Sequence, residues 1–193
     1  KKKRTFEALT EYVKQTKEEL DYLIWAKQSL DIAEDDADIE EIRTELRRTG
    51  ILKDKEKEKG SRRTAAGKPL HFISSDGYDI FVGKNNIQNE ELTFGLAAEN
   101  DLWFHIKQMP GSHVIVKLRD SDKSLEDIPD SVFLEAASLA AYYSSKSDAP
   151  KVEVDYTQRK NLKKPPKSRP GYVIYHTNFS MMAEPDLSKV KPA

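Results

Sequence analysis

Cysteine is absent from this chain, which removes disulfides, thiolate nucleophiles and cysteine-ligated zinc together. That fits a reducing compartment, and bacterial surface proteins without cysteine occur as well. No run of about eighteen apolar residues exists, so no membrane insertion is expected. The opening Lys1-Lys2-Lys3-Arg4 carries neither Met nor an apolar signal core, so the 193 residues read as a piece of a longer protein. HExxH, the P-loop pattern and a serine nucleophile elbow are missing, and the histidine spacing fits no common zinc site. No catalytic residue, metal or cofactor is therefore expected, and the chain is not read as an enzyme. One stretch lacks acids altogether. Gln158 to Arg169 carries Arg159, Lys160, Lys163, Lys164, Lys167 and Arg169 with no carboxylate among them.

Elsewhere charge is plentiful, at 34% of residues against 37% hydrophobic, and the formal net charge of −1 conceals that segregation. Phe6, Leu9, Val13, Thr16, Leu20, Leu23, Lys27 and Leu30 follow alternating steps of three and four, a heptad seam imperfect at Thr16 and Lys27. A long helix is expected from about Phe6 to Ala33. Glu34-Asp35-Asp36 breaks it, with Asp35 or Asp36 as the N-cap of a short helix through Ile39, Ile42 and Leu46 that ends at Gly50. Such a short helix cannot cover the seam of a long one, so the partner is expected upstream or on a second molecule; an ordinary amphipathic pair packed on the main domain is the alternative. Residues 1–52 form the helical segment, 53–69 a charged, flexible linker, and 70–193 the main domain.

Past Pro69 the texture changes. Leu70–Ile73 and Tyr78–Val82 read as strands joined through Ser75-Asp76-Gly77. Asn85 or Asn86 can cap a helix carrying Leu92, Leu96 and Ala97. Leu102–Ile106 and His113–Leu118 read as a second strand pair, Pro129 and Asp130 open an alanine-rich helix, and Val152–Tyr156 and Gly171–His176 read as further strands. The class expected is α+β, a mainly antiparallel sheet with packed helices preceded by a helical coiled-coil arm. No internal repeat is evident.

Three groups of residues bear on function. The basic, proline-containing stretch reads as a semi-rigid positive arm suited to a phosphate backbone, or as a solvated surface loop. In a strand, Asp101, Trp103 and His105 share one face, with Leu102, Phe104 and Ile106 on the other. If displayed, Trp103 and His105 can stack on bases or ribose; the alternative is a core tryptophan with its indole N–H bonded to a carbonyl. Asp101, His105 and His113 are also the residues an acid–base or metal role would draw on, against satisfied structural histidines.

Gly77-Tyr-Asp-Ile-Phe-Val-Gly-Lys-Asn-Asn-Ile-Gln-Asn89, Asp101-Leu-Trp-Phe-His105, Pro110-Gly-Ser-His-Val-Ile115, Val152-Glu-Val-Asp-Tyr-Thr157 and Lys167-Ser-Arg-Pro-Gly-Tyr-Val-Ile-Tyr175 together resemble the signature of the NFACT-R domain, in order and spacing. The resemblance covers about Leu70 to Phe179. The preceding helices are similar to the coiled-coil and middle segment of the RqcH / fibronectin-binding protein A family, in its Gram-positive branch. It implies an RNA-binding module of a ribosome-associated quality-control factor, with the large ribosomal subunit and tRNA as partners and alanine tailing of stalled chains as the process. It also implies a cytoplasmic setting. The family's Asp-Trp-x-His motif is matched by Asp101, Trp103 and His105 with Leu102 inserted. The RNA-contacting set implied is Asn85, Asn86, Asp101, Trp103, His105 and His113 with the six cations of the basic stretch. The family's tRNA-recruiting Asp-Arg pair belongs to its N-terminal domain, so this piece alone is not expected to elongate tails. Several Gram-positive members are described as fibronectin- or fibrinogen-binding surface adhesins, so host fibronectin or fibrinogen at the cell surface is the second implied partner.

Overall fold

The computed structural model describes residues 2–53 and 67–193; the expected linker, 53–69, falls for the most part outside them. Helix α1 spans Lys2–Ile32 and α2 Asp36–Arg48. Asp35 makes the break between them. Its backbone is extended and its side chain accepts from the Asp38 amide at 2.9 Å, the N-cap anticipated from the acidic run. Gly50, with φ 78°, lies just beyond the other end of α2 in the left-handed region that favours glycine.

Seven strands form one antiparallel sheet in the order β6-β5-β3-β4-β2-β1-β7. They are β1 Leu70–Ile73, β2 Asp79–Val82, β3 Leu102–Ile106, β4 Val114–Val116, β5 Val152–Gln158, β6 Phe179–Ala183 and β7 Lys191–Pro192. Between β2 and β3 lie α3, Asn86–Glu90, and a π-helical turn over Glu91–Leu96. Helix α4, Asp130–Tyr142, packs its Val132, Ala136, Ala137, Leu139 and Ala140 against one sheet face. The small alanines let that helix approach closely, and Leu102, Phe104, Ile106, Val114 and Val116 meet it from the strands. The fold is α+β, with the helical segment preceding it.

Gly171–His176 departs from expectation. It is not a strand of the sheet; its one ladder contact is an isolated antiparallel bridge, Lys163 with Ile174. The edge beside β5 is taken by β6, a few residues further on. The proline-containing stretch before Gly171 leaves too few consecutive paired residues to make a full ladder.

The seam of α1 does not face the domain. Phe6, Leu9, Val13, Leu20, Leu23 and Leu30 are exposed, while a different stripe, Tyr22, Trp25, Ala26 and Ser29, is buried. That stripe meets Leu46 of α2, and Gln28 reaches the Tyr143 carbonyl beyond α4.

A candidate nucleic-acid interface and the brace beneath it

From Arg159 to Thr177 the chain runs as a strap across the sheet face opposite α4. Leu162 is buried there with Trp103, Ile115 and Leu92, and Val173 and Tyr175 pack on the same cluster. Polar contacts pin the strap at intervals. The Tyr175 hydroxyl donates to Asp155 at 2.8 Å, Asn161 donates to the Thr157 hydroxyl at 2.8 Å, and that hydroxyl donates to the Thr177 carbonyl at 2.7 Å. Burial, and then the bond to Asp155, push the Tyr175 hydroxyl well above its usual pKa. At the other end the Arg159 amide donates to the Asp101 carbonyl at 2.8 Å and its Nε to the Thr93 carbonyl at 3.1 Å.

The strap divides its six cations. Lys164 pairs with Glu90 at 2.6 Å. The Arg169 guanidinium lies 4.5 Å from the Tyr22 ring centroid, tying the strap to α1, and Arg159 lies 5.3 Å from the ring of Phe94. Lys160 makes one long contact, 3.3 Å, with Asn100. Lys163 and Lys167 are exposed, and their ammonium groups have no ion pair or hydrogen bond among the described residues. Lys167 also holds φ 61°, an uncommon backbone state for a side chain of its kind. Inner and outer sides alternate along the returning limb: Val173 and Tyr175 point inward, whereas Tyr172, Ile174 and His176 are exposed. Sequence reasoning took this limb for a strand and did not single out its outer side. The two-residue alternation was the signal available. Gly171 (φ 72°) makes the return possible, because a Cβ there would sit 2.8 Å from the Asn86 side-chain oxygen.

The trio on β3 takes the interior role. Asp101, Trp103 and His105 do share a face, as the strand period requires, but the strap and the π-helical turn cover it. Trp103 is 0% exposed, so it offers no surface to a base. It sits against His105 (5.6 Å between centroids, stacked), His113 (5.2 Å, edge-on) and Tyr175 (5.2 Å). Contrary to the core alternative as framed, its Nε1 has no hydrogen-bond partner among the described residues. Asp101 is buried and accepts from the Ala98 amide at 2.7 Å and the Leu118 amide at 2.9 Å, with Lys117 on the same carboxylate. It therefore closes the turn into β3 and the end of β4, and it makes no bond to His105.

His105 is partly covered and its Nε2 contacts the Gly111 carbonyl at 3.2 Å. A carbonyl only accepts, so that nitrogen carries the proton. Desolvation lowers the His105 pKa to about 4. Burial, with His105 beside it, drives His113 well below the ordinary histidine range, and its Nδ1 lies 2.7 Å from the Thr93 hydroxyl. Both rings are thus neutral near pH 7 and cannot act as cationic phosphate contacts. Among the described residues no cluster of three or more acids and histidines could hold a metal ion.

Asn85 and Asn86 are occupied by the helical segment. Asn85 caps α3 through the Gln88 amide at 2.9 Å and donates to Glu41 at 2.7 Å; Asn86 donates to Glu45 at 2.9 Å. Gln88 donates to Asp38 and Glu41, and the Gly67 amide donates to Glu41 at 2.8 Å. Lys84, 3% exposed at its side chain, is clamped between Asp38 at 2.6 Å and Glu34 at 3.1 Å. This run, Lys84 to Gln88, is a socket for Glu34 and the acids of α2.

Two family models match the chain: the NFACT protein RNA binding domain over residues 68–177, and the NFACT N-terminal and middle domains over residues 1–65. Among similar proteins is the Rqc2 homolog RqcH of Streptococcus suis, 40% identical over 192 residues, which cover 99% of this chain and 33% of that protein. The Rqc2 homolog RqcH of Bacillus subtilis is 36% identical over 98% of this chain and 32% of its own length. Coiled-coil domain-containing protein 25 of Bos taurus is 32% identical over 105 residues, 54% of this chain and 50% of that one. The solved C-terminal structure of the fibronectin/fibrinogen-binding protein from Streptococcus suis superposes with a TM-score of 0.78 at 39% identity, covering 97% of this chain and 72% of that one. The chain spans about a third of the length of the RqcH relatives it matches. No helix among the described residues is long and apolar enough to cross a membrane.

Proposed function

The chain belongs to the NFACT family, and from that premise we propose that it is the RNA-contacting C-terminal part of a ribosome quality-control factor. Its partners are the large ribosomal subunit and tRNA, its setting is the cytoplasm, and it supports alanine tailing of stalled chains without carrying that chemistry itself. The observation that carries the reading is the outer side of the strap, where Lys163 and Lys167 stand exposed and without an ion pair among the described residues, on a fold matched by an RNA-binding domain model. Each phosphate that a free ammonium neutralises releases a counterion, so affinity falls as salt rises. Lys164, Arg159 and Arg169 hold the strap in place and contribute less directly.

The test is binding of labelled tRNA across a salt series. The expected result is a log–log slope that loses about one unit for each of Lys163→Glu and Lys167→Glu. A salt-independent signal, or one indifferent to both reversals, would overturn the reading.

A second reading rests on the likeness to the fibronectin/fibrinogen-binding protein. In it the chain binds host fibronectin or fibrinogen at the cell surface. Fibronectin run beside tRNA in the same series separates the two, because an apolar protein contact tolerates salt that dissolves phosphate contacts.

A further inference from the structure

Resting on the RNA-binding reading above, we infer that the strap takes unpaired nucleotides, with Tyr172 as the ring on which a base stacks. Tyr172 is 57% exposed, and its phenol has no hydrogen-bond or ring partner among the described residues. An exposed aromatic ring on an otherwise pinned segment is available to a ligand. Its neighbours along the chain explain why it is held still: Val173 and Tyr175 are anchored in the Trp103 cluster, and Tyr175 is bonded to Asp155. The ring is thus displayed from a rigid support.

The surroundings select the ligand. Lys163 pairs with Ile174 through two backbone hydrogen bonds of 2.9 Å, which puts their side chains on the same, outward side. Tyr172 and His176 flank Ile174 two residues to either side, and both are exposed as it is. The outer side therefore reads ring, aliphatic shelf, ring, with a free ammonium beside the middle position and Lys167 at the tip. A duplex hides the faces of its bases and would meet only the two lysines. An unpaired strand offers π-faces to Tyr172 and His176 while its phosphates meet Lys163 and Lys167. His176 is exposed, so it belongs to this surface and not to the brace.

The experiment titrates this chain against fluorescein-labelled oligouridylate of about twelve nucleotides and against an RNA duplex of the same length, by anisotropy. Wild type is expected to prefer the single strand. Tyr172→Ala should lose about tenfold in single-strand affinity and leave duplex affinity unchanged, while Tyr172→Phe keeps the preference because the ring remains. The double reversal Lys163→Glu/Lys167→Glu weakens both ligands. Equal binding of duplex and single strand, or a Tyr172→Ala variant indistinguishable from wild type, overturns the stacking inference and leaves the phosphate reading intact. Loss of all RNA binding in wild type overturns both. Tyr172 is exposed, so its variants should melt as wild type does, and a thermal scan confirms that the comparison is between folded proteins.

Discussion

Trp103 shows how one side chain serves a fold rather than a ligand. It fills the centre of the second cluster, so Trp103→Ala is expected to cost about 3–5 kcal/mol in urea unfolding. Trp103→Phe should cost markedly less, because removing the indole also removes an N–H buried without a partner, a burden of about 1–3 kcal/mol. If the indole instead contacted RNA, Trp103→Phe would lower affinity at unchanged stability. The buried histidines make a second prediction at this scale. The folded pKa of His105, about 4, lies below its unfolded value near 6.5, so its contribution to stability is present above pH ~6.5 and is lost as pH falls through the folded value. Imidazole resonances followed by NMR should show His105 static from pH 8 to about 5.5.

At the level of elements, the join between α2 and the main domain is polar where most such joins are apolar. Burial alone would raise the Asp38 pKa, but hydrogen bonds from Lys84, the Glu34 amide and Gln88 hold it below its usual value. Lys84 is raised despite desolvation by Asp38 and Glu34. Removing one partner of a buried pair strands the other, so Lys84→Met is expected to destabilise by about 3–5 kcal/mol, and the double change with Asp38→Leu should recover much of it. Glu45 differs. Desolvation lifts its pKa to about 7 in spite of the bonds from Asn86 and Tyr22 and the charges of Arg169 and Arg48. Its folded value exceeds its unfolded value near 4.3, so the folded protein binds the proton more tightly. The stabilisation is full below about pH 4 and is lost as pH rises through about 7. Melting temperature should therefore decline between pH 5.5 and 8, and Glu45→Gln, which keeps a neutral side chain, should flatten that decline.

Across the whole molecule the sheet is covered on both faces, by α4 on one and by the strap with the π-helical turn on the other. An antiparallel sheet can leave one face wet, and the strap is what prevents it here. Leu162 is its deepest anchor at 4% exposure. Leu162→Asp places an unpaired carboxylate in the second cluster and is expected to cost about 3 kcal/mol. Its signature is acrylamide quenching of Trp103, read in a Trp25→Phe background, while the core under α4 stays protected from hydrogen exchange. Equal loss of protection on both faces would mean that the two clusters unfold as one.

What the sequence determined by itself was everything carried by local periodicity and local chemistry. The three-four spacing marked α1, the acidic run marked Asp35 or Asp36 as a cap, Ser75-Asp76-Gly77 marked a hairpin, and alternation put Asp101, Trp103 and His105 on one face. The ordered motifs pointed to the family, and the acid-free stretch singled out the cations. Whether a face is wet or dry is a non-local property, and only the tertiary structure decided it. Residues 159–177 fold back over β3, turning Trp103, His105 and His113 from a contact face into a brace. Asn85 and Asn86 met acids 44 and 41 positions earlier in the chain, well outside any window that periodicity reads. The same folding sorted six equivalent-looking cations into pinned and free ones, because a charge run reveals its sign but not which carboxylate or ring each side chain will meet.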